Sequence, residues 1–286
     1  MNPYHQYASE IARLAGEAKR FRLGGFAPLP RPEVRKDAPS ALIFAPHPDD
    51  ECIVGGLALR LQREAGLRVV DVAVTQGSNK ARQGPRWMEL STACDYLGFE
   101  LVGTRPSGLE NVNLATRAGA PGSWQESVEV ISGLIAEHRP AVVFVPHDGD
   151  WNSTHVGTHY LVMDALARQP AGFECTVVET EFWGAMTTPN LMVELGVEHV
   201  AHLMTALSFH VEEVRRNPYH VFLPGWMMDN VRRGGELVGG QGAAAPAFTF
   251  ATLYRLRRWT AGALRDMFEG GLALPVSTSA GELLRR

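Results

Sequence analysis

The chain has 286 residues, 45% of them hydrophobic and 20% charged, with a formal net charge of −4. That size and balance fit one α/β unit with a full core, and the acidic balance argues against nucleic acid or an anionic membrane as partner. Three scattered cysteines, no apolar leader and no run of about 18 apolar residues argue against a disulfide framework and a membrane span, so the expectation is a soluble cytoplasmic protein.

In chain order, Tyr7, Ile11 and Leu14 recur at helical spacing before a Gly/Pro-rich connector, "RLGGFAPLPRP". Residues 1–38 therefore read as a helix and an arm, and 39–286 as a single domain whose last third shapes the pocket rim. "ALIFA" (Ala41 to Ala45) is an apolar run of strand length, followed by a helix over Ile53 to Glu64 closed by Gly66. "LRVVDVAVT" is a second strand, and Arg86 to Leu97 a second helix ended by Gly98. Ser127 to His138 carries Val130, Ile131, Leu134 and Ile135 on one helical face, and "AVVFV" (Ala141 to Val145) follows as a strand. A helix from about Thr154, a strand in "CTVVETEFW" and a helix over His199 to Arg216 complete the legible part. Strands alternating with helices predict a mostly parallel sheet covered on both faces. Gly240, Gly242 and Ala245 imitate a dinucleotide fingerprint, but Pro246 stands where its helix would begin, so a small-residue loop is expected. Cys52, Cys94 and Cys175 are expected to fill core positions.

The chemistry concentrates in two loops. "APHPDDE" follows the first strand and places His47, Asp49, Asp50 and Glu51 within five positions. Carboxylates this close repel unless a cation offsets them, and His and Asp are both zinc ligands. His47 and Asp50, three apart, can close on one ion and leave Asp49 for a proton. Acidic residues also suit a helix N-terminus, which is the competing explanation. The second loop, "VPHDGDWNSTHVGTH", follows "AVVFV". Because ligands bind beyond the carboxyl ends of parallel strands, both loops can meet in one crevice. His155 and His159 are four apart on one helix face, and either can complete a His-Asp-His set. Asp148 and Asp150 are placed to brace this loop. Trp151 and Trp183 are candidates for a sugar site, although burial in the core is the simpler expectation.

These motifs resemble the PIG-L/LmbE-like de-N-acetylase family. The signature is "HPDDE", continued by the glycine pair, helix, second strand and Thr-x-Gly of "GGLALRLQREAGLRVVDVAVTQG" and by the Arg-x-x-Glu helix of "RWMELSTACDYLG". The likeness runs from about Ala41 to Leu166, with a fainter echo in "LMTALSFH". It implies a Rossmann-like fold and zinc, or in some members ferrous iron, held by His47, Asp50 and His155. It further implies Asp49 as general base, Arg86 as a ligand of sugar hydroxyls, and a small N-acetylated, glucosamine-containing substrate. Self-association into a homo-oligomer is left open. One position departs: where members carry a histidine three residues before the metal-binding one, this chain has Asn152. An amide can donate to an oxyanion but cannot shuttle a proton, so Asp49 alone, or His147 reaching in, would complete catalysis. His147 as a brace of its own turn is the competing role.

The expected activity is hydrolysis of an N-acetyl group by metal-activated water. The alternative is a metal- and carbohydrate-binding protein of the same fold with impaired catalysis, which Asn152 permits. A phosphoesterase is weaker because such sites usually need two ions.

Overall fold

The computed structural model describes residues 2–35 and 37–285. Met1 and Lys36 of the expected arm, and Arg286, lie outside them. The elements are α1 (Pro3–Ala18), β1 (Ser40–Ala45), α2 (Asp50–Val54), α3 (Gly56–Ala65), β2 (Arg68–Ala73), α4 (Lys80–Leu97), β3 (Glu100–Gly103), α5 (Leu114–Gly119), α6 (Pro121–His138) and β4 (Val142–Pro146). There follow α7 (Ser153–Leu166), β5 (Cys175–Thr180), β6 (Leu191–Glu194), α8 (Val197–Leu207), α9 (Val211–Arg216), α10 (Tyr219–Leu237), β7 (Ala251–Thr260), β8 (Ala263–Asp266), β9 (Leu272–Leu274) and a final 3-10 helix, Ala280–Arg285.

The expected α/β architecture is present. Strands β3, β2, β1, β4 and β5 lie side by side in that order, all parallel. Period-two alternation explains why the runs are apolar throughout: Ala41 and Ile43 of β1, with Val142 and Phe144 of β4, face one core cluster. Leu42, Phe44, Val143 and Val145 face the other. The order reverses between β1 and β4, so a crevice opens beyond their carboxyl ends. Both chemistry-bearing loops leave the sheet at that crevice.

The last third, hard to read in sequence, adds strands to the same sheet. β7 pairs antiparallel with β5 and β6, and β6 pairs parallel with β9. Its attachment is ionic as well as apolar, because Arg255 and Arg257 both close on the buried carboxylate of Glu179. The fingerprint lookalike at Gly240 to Pro246 is irregular, as expected.

Several boundaries moved for identifiable reasons. The helix expected over Ile53 to Glu64 is two, broken at Gly55, where a Cβ would lie 2.4 Å from the Glu51 carbonyl oxygen. α4 begins at Lys80, six residues before Arg86, because Asn79 caps it and Pro85 is tolerated inside. The helix expected over His199 to Arg216 is interrupted between α8 and α9, and His210 in that break turns into the core. All three cysteines are buried and free. Among the described residues no helix is long and apolar enough to cross a membrane.

One buried acid lies under the crevice. Asp71 on β2 is 0% exposed, and its Oδ1 has no hydrogen-bond partner. Burial, with Glu51 and Asp50 adding to it, pushes its carboxyl well above the usual range. A raised carboxyl favours the protonated folded state, so wild-type stability drains away as pH rises above the unfolded value near 3.9, by up to about 1.4 kcal/mol per pH unit. Asp71→Asn removes that dependence. Denaturant unfolding should therefore show the variant gaining on wild type between pH 4 and 8; parallel pH profiles would refute the assignment.

Candidate functional site

The crevice brings His47, Asp50 and His155 together, with one donor atom from each within 4.8 Å of the others. His47 leaves the end of β1, Asp50 opens α2 and His155 lies in the first turn of α7. Asp50 Oδ2 is 3.4 Å from His47 Nδ1 and 3.3 Å from His155 Nε2. Donors arranged tetrahedrally about zinc at 2.0–2.2 Å stand roughly 3.4 Å apart.

His155 carries the test of fit. Its Nδ1 faces Asp150 Oδ2 at 3.3 Å, while its buried Nε2 makes no hydrogen bond. A carboxylate holding one ring nitrogen and leaving the other bare toward a second carboxylate is the arrangement of a metal-ligating histidine. Burial alone would lower the imidazole pKa, but Asp50 and Asp150 overcome it and raise it to about 10. The site thus draws positive charge, which a proton or a divalent cation can supply. Asp50 is held well below the ordinary carboxylate range against its burial, by His155 and then His47.

Asp49 is buried beside this cluster, with φ of 123°, a conformation rare outside glycine. Two contacts hold it. Its N–H donates to Glu51 Oε2 at 2.8 Å, and Tyr219 Oη donates to its Oδ2 at 2.5 Å. Glu51 is itself gripped by His210, whose Nε2 lies 2.8 Å from Oε1. Desolvation, then Asp50, raises the Asp49 pKa to about 6, against the pull of His210 and Arg86.

Arg86 reaches the same pocket from α4, donating to the Pro48 carbonyl at 2.9 Å and lying 3.9 Å from Asp49. Gly77 makes room for it: a Cβ there would stand 2.5 Å from Arg86 Nη1. Asn152 lines the pocket too and caps α7, its Oδ1 accepting from Thr154 N at 2.9 Å. Its amide nitrogen carries the two donor hydrogens. His147 is not brought in. Its Nε2 sits 2.9 Å from the Gly184 carbonyl and its Nδ1 accepts from Gly149 N, so the ring braces its own loop and does not reach the site. His159, the other candidate in the second loop, turns to the Pro146 carbonyl instead.

Sequence reasoning missed Tyr219, which meets Asp49 from 170 residues away, and left Asp150 as a loop brace when it orients His155. The burial expected for Trp151 is overturned: it is 71% exposed at the pocket mouth.

A family model described as PIG-L, GlcNAc-PI de-N-acetylase, matches residues 42–166. That stretch of the chain is similar to the PIG-L/LmbE-like de-N-acetylases. A 1D-myo-inositol 2-acetamido-2-deoxy-alpha-D-glucopyranoside deacetylase of Mycobacterium leprae is 29% identical over 159 residues, 46% of this chain and 51% of the relative. The chain thus spans about half the length of that curated relative. The N,N'-diacetylchitobiose deacetylase of Pyrococcus horikoshii superposes with a TM-score of 0.56 at 16% identity, over 87% of this chain and 92% of that one. The 4-carboxy-2-hydroxymuconate hydratase of Pseudomonas putida does so with 0.57 at 15%, over 77% and 95%. At such identities these two likenesses speak for the fold alone, and the two proteins' names show that this fold serves different reactions. The PIG-L match covers both chemistry-bearing loops, and Tyr219 lies beyond it.

Proposed function

We propose that this protein is a metal-dependent hydrolase that removes the N-acetyl group from a small N-acetylglucosamine-type substrate. The observation that carries the reading is the bare, buried Nε2 of His155, set against Asp50 and His47 and beside a carboxylate near neutrality. The substrate class is supported by the acetamido-sugar in the curated relative's name.

His47, Asp50 and His155 would hold the ion. Two imidazoles and one carboxylate suit zinc, and ferrous iron as well. A cation there supplies Lewis acidity, polarising an acyl oxygen and acidifying water near neutral pH. The remaining steps belong to the chain. Asp49, with its pKa near 6, accepts a proton from the attacking water as the C–O bond forms. It then delivers that proton to the amide nitrogen as the C–N bond breaks, giving acetate and a free amine. Tyr219 holds the Asp49 carboxylate in place, and Asn152 donates its amide hydrogen to the oxyanion that develops on the acyl oxygen. Arg86 stands where a sugar hydroxyl would accept from its guanidinium.

The test is acetate release from a panel of N-acetylated sugars, beside metal analysis of the same preparation. Turnover should vanish with chelator and return with zinc or ferrous iron. Metal and sugar binding without any acetate would instead establish the impaired binding protein.

A further inference from the structure

Trp151 is exposed but not loose. Its Nε1 donates to the Trp183 carbonyl at 2.8 Å, which pins one indole edge and leaves the ring faces open at the pocket mouth beside Asn152. Holding a large apolar ring in water gains the fold little, whereas a fixed aromatic face is ready for a ligand at small entropic cost.

The charged residues that line the same pocket set the ligand's charge. Arg82 pairs with Glu212 at 2.8 Å and Glu213 at 2.5 Å, and Arg216 closes on Glu213 as well. Arg86 lies 3.8 Å from Glu213 and 3.9 Å from Asp49. Each of these three arginines faces a carboxylate, so this lining offers donors and acceptors in plenty but little net field for a phosphate. An aromatic face in one pocket with neutralised Arg–Glu pairs matches a ring with one apolar C–H face and hydroxyls around its edge.

We infer that Trp151 is a specificity-determining residue, the platform for an uncharged second ring joined to the N-acetylated sugar. This rests on the deacetylase reading above for the position of the first ring. The test is calorimetric affinity of the full-length, metal-loaded Asp49→Asn protein, which keeps the acetamide intact, for N-acetylglucosamine, N-acetylglucosamine 1-phosphate and N,N'-diacetylchitobiose. Acetate release by wild type is followed in parallel. The two-ring sugar should bind at least about ten-fold more tightly than the single ring, and the phosphate should give no comparable gain. Adding Trp151→Ala should erase the two-ring advantage, and Trp151→Phe should restore most of it. Equal affinities for one and two rings, an advantage that survives Trp151→Ala, or preference for the phosphate would overturn the inference. Absence of acetate release together with the two-ring preference would sink only the catalytic reading and leave the platform standing.

Discussion

Asp49→Asn is expected to cut acetate release by about 10²–10⁴-fold while metal content stays at the wild-type level. The substitution keeps the shape and the Tyr219 contact but removes the group proposed to take and return a proton. Because C–N cleavage needs a protonated amine, the loss should fall on kcat more than on KM. The pH profile adds a second readout. With the Asp49 pKa near 6, wild-type kcat/KM should climb as pH rises through that value, since the carboxylate must be ionised to act as base. The residual activity of the variant should lose that limb. Retained turnover, or an unchanged acidic limb, would remove Asp49 from the mechanism.

His155→Ala is expected to abolish both metal retention and activity. The loss removes one of three protein donors and leaves Asp50 buried without its main positive neighbour. A graded partner experiment separates ligation from general damage. Asp150→Asn leaves all three donors in place and weakens only the grip on His155 Nδ1, so metal affinity should fall by about 10–100-fold, with excess metal restoring turnover. If His155→Ala purified with stoichiometric metal, the proposed donor set would be wrong.

Much of this was legible in the chain because the signals are local. Apolar runs such as "ALIFA" and "AVVFV" mark central strands, and the density of acid and histidine after them has few explanations in a parallel sheet. What escaped depends on contacts that no spacing announces. Tyr219 reaches Asp49 only because α9 and α10 fold back over the crevice. The antiparallel β7 is pinned by Arg255 and Arg257 on Glu179, a pairing across about 80 positions. Asp150 and His147 share one loop and the same polar character, yet one meets His155 and the other its own backbone. Trp151 departs from the usual burial of aromatics, and its indole nitrogen is tethered to the Trp183 carbonyl by a contact no spacing announces.

The backbone of Asp49, at φ of 123°, sits where glycine alone is at ease. Such geometry costs a side-chain-bearing residue about 1–3 kcal/mol, and Glu51 with His210 supplies the restraint that keeps it from relaxing. The chain therefore gives up local comfort at the position where the proposed mechanism needs a carboxylate. On that mechanism, Asp49→Gly would relieve the backbone and remove the proton carrier together.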